Sequence, residues 1–284
     1  MTQSAPSTQF PLLRGAVGRW ARGWNNIGRQ AQFYGLVIAG TKEVLVRYKA
    51  ELIRLVAQMS LGIGALALIG GTVVIVSFLT ISAGSLISIQ VFSQLQEIGV
   101  DALAGFASAF INVRIVAPLV AGIGLAATIG AGATAQLGAM RISEEIDALE
   151  VIGIRSIAYL ASSRVLAGII VVIPLYCLTC LMAFVSTRVG TTAVYGQSTG
   201  VYDHYFYTFL NPWDLLWSFL QAITMAVVVM LVHTYHGYVA TGGPAGVGAA
   251  VGRAVRTSLV AAVTVTLFVS LAIYGQSGNF NLAG

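Results

Sequence analysis

The stretch GAMRISEEIDALEVIG, residues 138–153, concentrates ionisable side chains in a chain that otherwise avoids charge. It holds Arg141 and four of the ten acidic residues, which are Glu144, Glu145, Asp147 and Glu150. Clustered carboxylates are candidates for acid–base catalysis or for binding a basic surface of another protein. A catalytic role would also require a nucleophile, a set of metal ligands or a cofactor-binding loop elsewhere in the chain.

Histidine and cysteine pairs offer a second possible chemistry, which is metal binding. His233 and His236 form an H-x-x-H pair, and Cys177 and Cys180 form a C-x-x-C pair. A zinc site needs about four ligands, and neither pair has further ligand-type residues near it in sequence. The cysteines also lie in an uninterrupted hydrophobic run, where small apolar residues pack in a buried helix. We expect no metal site, with a site at the histidines as the alternative.

Two glycine-rich stretches, GIGLAATIGAGATAQLG (122–138) and TGGPAGVGAAVG (241–252), could in principle hold a nucleotide phosphate. A P-loop requires G-x-x-x-x-G-K-[ST], and the two lysines, Lys42 and Lys49, do not complete one. Small residues at these spacings instead allow membrane helices to approach closely. The sequence therefore predicts a chain that is not an enzyme, binds no cofactor itself and has no energy source of its own.

The composition indicates an integral membrane protein. Only 9% of the 284 residues are charged and 57% are hydrophobic, and the mean hydropathy is +0.85, whereas soluble domains carry about 25% charged residues. The net charge of +5 could indicate nucleic-acid binding, but eight of the fifteen basic residues precede residue 55. Because that asymmetry is typical of a cytoplasmic flank beside anionic lipid, we expect no nucleic-acid partner.

The hydropathy pattern predicts an all-α protein with an N-terminal interfacial amphipathic helix and five membrane spans. Residues 1–30 are expected to form a loosely ordered basic cytoplasmic tail. Residues 31–58 form the interfacial helix, whose apolar face carries Phe33, Val37, Val44, Tyr48, Leu52 and Leu55. A soluble helix packed on a partner is the alternative for that segment.

The five predicted spans are 59–81, 115–135, 157–187, 213–235 and 257–275. Residues 82–113 mix Gly, Ser and two acids with an apolar run, and we expect that run to form a short or re-entrant helix. Residues 277–284 would form an external C-terminal tail. Few ionisable groups lie inside the spans, which suits an apolar cargo better than proton or sodium coupling.

The basic residues set the expected orientation. With the N-terminus inside, thirteen Lys and Arg residues fall in cytoplasmic segments, whereas the outer segments hold only Arg114 and Arg188. The N-terminus is therefore predicted to be cytoplasmic and the C-terminus extracytoplasmic, and no cleaved signal peptide is expected. The aromatic-rich outer segment 188–212 fits either an aromatic belt at the membrane boundary or a contact with an external partner.

This orientation places the acidic stretch in the cytoplasm, between the second and third spans. Helical spacing gives it two faces, one with Ile142, Ile146 and Leu149 and the other with Arg141, Glu144, Glu145 and Ala148. We interpret it as a short amphipathic helix. It is either solvated without a partner, or docked by its acidic face into a basic cleft of an ATPase that supplies the missing energy source.

Three stretches resemble the MlaE family, the permeases of bacterial lipid-transporting ABC systems. They are GAGATAQLGAMRISEEIDALEVIGI (130–154), RIVAPLVAGIGLAATIGAGATAQLG (114–138) and HTYHGYVATGGPAGVGAAVGRAVRTSLV (233–260). The similarity extends from about residue 30 to 276, so residues 59–276 are expected to form an MlaE-type permease domain. Within the family, the chain looks most like a B-type YrbE permease of a mycobacterial Mce lipid-transport system.

The resemblance implies a transporter subunit of the inner (plasma) membrane. Its partners would be an A-type YrbE permease in a heterodimer, two copies of a cytoplasmic MceG-like ATPase that bind ATP and Mg²⁺, and an extracytoplasmic ring of Mce proteins. The cargo would be a hydrophobic lipid, such as a fatty or mycolic acid, that moves between the Mce tunnel and the inner membrane. The alternative is a membrane scaffold that anchors the Mce complex, with sterol rather than fatty acid as cargo.

The resemblance also assigns roles to residues. The role of a helix that couples the permease to its ATPase carries onto Arg141, Ser143, Glu144, Glu145, Asp147 and Leu149. A lipid pathway at the dimer interface would be lined by the first two spans, and the candidates are Ile69, Val73, Val76, Phe78, Leu79, Arg114, Pro118 and Leu119. Many relatives have an acid where Ile115 follows Arg114, so here the partner subunit is expected to supply that acid.

Overall fold

The chain folds into helices throughout the part that the structure describes. The computed structural model describes the backbone of residues 11–61 and 67–274 and the side chains of residues 25, 27–60 and 71–273. Nine helices and no strands occur within these residues, as the all-α prediction requires. The helices are α1 (Pro11–Arg47), α2 (Lys49–Leu61), α3 (Ala67–Glu97), α4 (Asp101–Ile142), α5 (Glu145–Val151), α6 (Ile157–Val194), α7 (Thr199–Phe209), α8 (Pro212–Tyr238) and α9 (Gly243–Tyr274).

Five of these helices, α3, α4, α6, α8 and α9, are long and apolar enough to cross a membrane. This confirms the predicted number of spans. The two short helices lie at opposite ends of the bundle, since α5 follows the end of α4 and α7 packs against its beginning. We refer to these as the α5 end and the α7 end. With 42 residues, α4 is about 63 Å long, roughly twice the hydrocarbon thickness of a bilayer.

The segment 82–113 departs most from the prediction, because it contains no separate short or re-entrant helix. Residues 82–97 complete α3, and the apolar run before Arg114 begins α4. The Ser and Gly residues of α3 lower its hydropathy, yet they form the face that packs against α6. Ser186 donates a hydrogen bond to the carbonyl oxygen of Ile81 at 2.7 Å, and Ser85 lies 3.2 Å from Ser186. Small residues permit such close approach, so α3 continues where hydropathy indicates an end.

The last span also begins earlier than predicted, at Gly243 rather than residue 257. Its glycine-rich start is helical because Ala250, Ala254 and Ser258 are buried at four-residue spacing against α4 and α8. The helices α4, α6 and α8 likewise extend past the predicted spans 115–135, 157–187 and 213–235. Of the predicted first span, 59–81, residues 62–66 lie outside the described residues.

The N-terminal helix begins at Pro11, so residues 11–30 are helical where a loose tail was expected. Residues 1–10 and the predicted external tail, 277–284, lie outside the described residues. Tyr48 separates α1 from α2 without breaking the helical hydrogen bonding. The N–H of Tyr48 bonds to the carbonyl of Val44, and the N–H of Leu52 to that of Tyr48, both at 3.0 Å.

The apolar face predicted for residues 31–58 packs within the chain rather than on lipid. Val37 and Val44 are fully buried, and Ser162 of α6 donates a hydrogen bond to the carbonyl oxygen of Val37 at 2.7 Å. A second apolar strip, formed by Ile27, Ile38 and Leu45, is exposed on another side of α1. As the interfacial helix that the sequence predicts, α1 would present this second strip to the membrane.

The centre of the bundle is formed by α4, α6 and α8. Within the most apolar stretch of each span, 61% of residues are buried in α4 and 50% in α6 and α8, but only 22% in α3 and 11% in α9. Both peripheral spans contact α4, and their remaining surface is apolar and exposed. That surface is available to lipid or to another membrane subunit.

Candidate functional site

The acidic stretch forms a sharp helical corner at the α5 end. Glu144 adopts a left-handed conformation with φ of 61°, which separates α4 from α5. Gly153 closes the corner with φ of 81°, and the N–H of Ile154 bonds to the carbonyl of Leu149 at 3.0 Å. A left-handed glycine with such a bond is a common end for a helix, because a side chain at that position would be strained.

The acids of this corner are mostly engaged by neighbouring side chains. Arg141 binds Asp147 at 2.7 Å, and Ser143 donates a hydrogen bond to Glu145 at 2.9 Å. Glu150 accepts hydrogen bonds from Ser156 and from Tyr238 at the end of α8. Glu144 is exposed and has no side-chain partner among the described residues. The predicted acidic surface is therefore partly used to hold the corner in shape.

The predicted apolar face of the corner is only partly correct. Ile146 is fully buried, and the half-buried Leu149 packs with it against Leu160 and Tyr238. Ile142, in contrast, is 37% exposed. It lies before the left-handed turn at Glu144, so it belongs to α4 and not to the periodicity of α5. Leu149, assigned to ATPase contact, points into the chain instead.

An ion pair connects this corner to the N-terminal helix. Arg155, just after α5, lies 2.8 Å from Glu43 of α1, and Glu43 also lies 3.7 Å from Arg47. Beside the Glu43–Arg155 pair is a cleft of about 450 Å³ between α1 and residues 150–158. The corner therefore contacts α1 through a charge pair and α8 through the Glu150 hydrogen bonds, and a displacement of α5 would reach both helices.

A second ion pair lies toward the α7 end, where Arg114 of α4 meets Asp214 of α8. Two guanidinium nitrogens of Arg114 donate to one carboxylate oxygen of Asp214, at 2.8 and 3.2 Å, and both side chains are largely buried. The guanidinium also lies 4.0 Å from the ring centre of Phe110. Asp214 is the one acid inside the predicted spans. Within this chain, Arg114 therefore pairs with an acid from a different helix, and an acid supplied by the partner subunit stays a prediction.

The predicted lipid-pathway residues do not form one surface. Phe78 is the most exposed of them, and Val73 and Leu79 share the exposed apolar surface of α3, whereas Val76 and Pro118 are buried between helices. Leu119 is half-buried on α4, and Arg114 is held in its ion pair. The side chain of Ile69 lies outside the described residues. A cavity of about 260 Å³ opens between α2, α3 and α4, and its lining includes Met59, Ile75 and Ile129.

Of the histidine pair, His233 serves packing in this structure. His233 is fully buried, with Nδ1 2.7 Å from the hydroxyl of Thr134 and Nε2 3.0 Å from that of Ser258. The side chain therefore joins α8 to α4 and α9. Both cysteines are unpaired thiols, Cys180 buried and Cys177 exposed. Among the described residues, no group of three His, Cys, Asp or Glu side chains could hold a metal ion.

A buried polar cluster that sequence analysis missed holds α7 on the bundle. Tyr202 donates a hydrogen bond to Ser108 at 2.7 Å, and Asn112 donates to Ser108 and to Thr187 at 3.0 and 2.9 Å. Burial raises the pKa of Tyr202 to about 12. An asparagine inside an apolar run was the available signal, since a buried amide requires partners.

The family profile described as Permease MlaE matches residues 63–272, more than half of the chain. The chain belongs to the MlaE permease family. The matched region contains all of α4 to α8, including the acidic corner and the His233–His236 pair. Members of this family are transporter subunits, so the fold, the five spans and the family together identify a multi-pass membrane permease.

Named relatives agree with this assignment. The chain is 30% identical over 179 residues to the chloroplastic protein TRIGALACTOSYLDIACYLGLYCEROL 1 of Arabidopsis thaliana, an alignment covering 62% of this chain but only 51% of that protein. It is 27% identical over 200 residues to a probable ABC transporter permease protein of Synechocystis, covering 69% and 74% of the two chains. A probable ABC transporter permease protein of Rickettsia felis is 24% identical over 246 residues, covering 83% and 92%.

Proposed function

We propose that this chain is the permease subunit of an ATP-driven Mce lipid importer. It would pair with an A-type YrbE permease in the inner membrane, with its N-terminus in the cytoplasm and its C-terminus outside. Two copies of an MceG-like ATPase would bind ATP and Mg²⁺ at the α5 end, and a ring of Mce proteins would cover the α7 end. The cargo would be a hydrophobic lipid such as a fatty or mycolic acid.

The family membership is the observation that carries this proposal. Relatives of this chain are named ABC transporter permeases, and such permeases work with a separate ATPase. One relative carries the name of a glycerolipid, trigalactosyldiacylglycerol. These names favour a lipid cargo moved at the expense of ATP.

The surfaces of the bundle also favour an apolar cargo. The single acid inside the predicted spans, Asp214, is neutralised by Arg114 and is not available for ion coupling. The exposed surfaces of α3 and α9 carry Val, Ile, Leu and Phe side chains, including Phe78, Leu79, Leu267 and Phe268. A lipid acyl chain binds to such surfaces without any charged group.

Movement at the α5 end would reach the membrane helices through the contacts of the acidic corner. Arg155 connects the corner to Glu43 of α1, and Glu150 connects it to Tyr238 of α8. An ATPase that closes on ATP and displaces α5 would therefore displace α1 and α8 as well. The chain's own role is to bind the ATPase, transmit its movement and provide an apolar surface for lipid.

Mass spectrometry of lipid bound to the intact complex tests this proposal. The tagged permease is expressed with an A-type YrbE permease, an MceG-like ATPase and Mce proteins, and copurifying lipids are identified. We expect bound fatty or mycolic acids, with Phe78→Asp reducing the amount recovered. If the complex assembles and binds lipid, but that lipid contacts only the partner permease in a structure of the complex, this chain is a scaffold. Recovery of sterol in place of fatty or mycolic acid would show that the cargo is a sterol.

A further inference from the structure

The side chain of Arg164 is buried although it carries a permanent charge. It lies near the start of α6, toward the α5 end, and only 4% of its surface is exposed. A guanidinium stays charged inside proteins, and an arginine is almost never fully buried unless it is paired. A buried charge without a counter-charge is strongly destabilising. Arg164 should therefore have an anionic partner.

No acidic side chain of this protein is that partner. All ten acids lie among the described residues, and none of them forms an ion pair with Arg164. The acid whose charge acts on Arg164 is Glu51 of α2. Both carboxylate oxygens of Glu51 are already bound by Arg54, at 2.6 and 2.8 Å. The anion that neutralises Arg164 must therefore come from another molecule.

One edge of the Arg164 guanidinium is left for such an anion. Nη1 donates a hydrogen bond to the carbonyl oxygen of Leu160 at 3.0 Å. Among the described residues, Nε has no acceptor, and Nη2 contacts the sulfur of Met140 at 3.9 Å, which is a weak acceptor. Nε and Nη2 together form an edge that binds a carboxylate or phosphate through two parallel hydrogen bonds. Met140 is half-buried and its side chain is unbranched, so it can move aside and admit an acidic group.

An apolar cavity lies close to this edge. The cavity of about 260 Å³ between α2, α3 and α4 is lined by Leu55 and Gln136, among others. Gln136 precedes Met140 by four residues on α4, and Leu55 follows Glu51 by four residues on α2. Since residues four apart share one face of a helix, the cavity and Arg164 lie along the same side of both helices. One helical turn is about 5.4 Å along the axis, so a ligand with a head group and a chain can contact both.

We propose that Arg164 binds the acidic head group, a carboxylate or a phosphate, of an amphiphile whose hydrocarbon chain lies in this cavity. The inference rests on the proposed function for the nature of the cargo, and it deepens that proposal by naming a residue that selects a charged lipid. Met59, Ile75 and Ile129 in the cavity lining contact hydrocarbon favourably. A fatty acid satisfies both parts of the site, whereas a sterol has no anionic group for Arg164. The site therefore favours fatty or mycolic acid over sterol.

Binding of labelled palmitate to the delipidated full-length permease in detergent, without the ATPase or Mce proteins, tests the charged part of the site. Arg164→Met should weaken binding about tenfold or more, because two charge-assisted hydrogen bonds are lost. Arg164→Lys keeps the charge without the two parallel donors, so its affinity should be intermediate. The control Arg188→Met, in the exposed pair near the α7 end, should bind palmitate as the wild type does. Hexadecanol, which has the same chain without the charge, should bind equally to the wild type and to Arg164→Met.

Gly132→Leu tests the cavity independently of the charge. Gly132 lines the cavity, and a Cβ atom there would meet no atom within 4 Å. The leucine side chain would occupy the space of the hydrocarbon chain, so palmitate binding should fall about tenfold. The melting temperature should stay at or above the wild-type value, since leucine favours a helix more than glycine does.

Thermal unfolding separates ligand binding from a purely structural role of Arg164. Without ligand, Arg164→Met should melt at or above the wild-type temperature, because an apolar side chain replaces an unpaired buried charge. Palmitate should raise the melting temperature of the wild type but not that of Arg164→Met. If Arg164→Met does not fold, Arg164 has a structural role and the site is wrong.

Undiminished palmitate binding by Arg164→Met would overturn the site and leave the proposed function intact, and so would a wild type that binds no palmitate. An equal loss of hexadecanol binding would also overturn it, by showing that the variant fails for a reason other than charge. If inorganic phosphate displaces palmitate as effectively as a second fatty acid does, Arg164 binds a free anion and not an amphiphile. Palmitate binding through Arg164, in a complex that moves no lipid with ATP, would support the site and overturn the proposed function.

Discussion

At the scale of single residues, the structure differs most from the predictions at two sets of charged groups, Arg114 with Asp214 and the acids of the corner. Both form contacts within the chain that were not predicted. Asp214 lies one hundred positions from Arg114, so no local pattern could connect them. The acids of the corner pair with Arg141, Ser143, Ser156 and Tyr238. In a chain with so little charge, each of these contacts holds two helices or the two sides of a turn together.

Replacing Asp214 tests the buried pair at the α7 end. Asp214→Asn should destabilise the protein by roughly 3 kcal/mol, because it leaves the Arg114 charge largely buried without its carboxylate. The measurement is thermal unfolding of the purified permease in detergent. A matched control is Asp203→Asn in the exposed pair with Arg188, where hydrogen bonds from Arg188 hold the pKa of Asp203 below its usual range. That control should change the melting temperature little. Equal losses of stability in Asp214→Asn and Asp203→Asn would contradict a stabilising role for the Arg114–Asp214 pair.

Reversing two charges of the acidic corner tests its acidic surface. Glu144→Lys combined with Glu145→Lys should weaken ATPase association, because like charges would face the basic cleft expected on the partner. The loss should shrink as the salt concentration is raised from about 50 to about 500 mM, since salt screens exposed charges. The amount of ATPase that copurifies with the variant at both salt concentrations measures this loss. Unchanged association at low salt would show that these acids take no part in docking.

At the scale of helices, the sequence predicted the number of membrane spans and their helical structure better than it predicted where each helix begins and ends. Five spans could be predicted because long apolar runs have few alternatives to a membrane helix. The boundaries of α3 and α9 were wrong because Gly, Ala and Ser lower the hydropathy where helices pack closely, as Ser85 does against Ser186. The position of Ile142 was wrong because a left-handed residue, Glu144, is not visible in periodicity. The pathway residues could be assigned to α3 and α4, but their burial depends on tertiary packing.

Close packing of α8 on α4 gives a prediction for one glycine. A Cβ atom at Gly130 would lie 2.6 Å from the ring of His233. That ring has little freedom to move, because its two nitrogens are hydrogen-bonded to the hydroxyls of Thr134 and Ser258. Gly130→Ala should therefore destabilise the protein by about 1–3 kcal/mol. Gly252→Ala on α9 is the control, because its Cβ would meet no atom within 4 Å, and it should be neutral or slightly stabilising. Thermal unfolding of both variants checks this, and a neutral Gly130→Ala would contradict the packing.

At the scale of the whole molecule, the bundle has a buried centre and two exposed apolar flanks. Spans α4, α6 and α8 bury half or more of their apolar stretches, whereas α3 and α9 bury far less. Such a subunit presents most of its lipid-compatible surface on its peripheral helices. The arrangement fits the proposal of a permease that works beside a second permease.

The orientation of the molecule is a separate prediction. From five spans and the distribution of basic residues, we expect the N-terminus in the cytoplasm and the C-terminus outside. A single cysteine added after Gly284, in a variant with Cys177 and Cys180 replaced by alanine, should react with a membrane-impermeant thiol reagent added outside intact cells. Labelling only after the cytoplasmic side is opened would overturn this orientation.

ATP-dependent lipid movement is the most direct test of the central claim. The purified complex, with both permeases, the ATPase and the Mce proteins, is reconstituted into liposomes with a labelled fatty acid supplied to the Mce side. We predict that label enters the bilayer faster with ATP than without it, and that Glu144→Lys combined with Glu145→Lys reduces the ATP-dependent part. Vigorous ATP hydrolysis by the wild-type complex with no ATP-dependent movement of fatty acid or sterol would contradict the account.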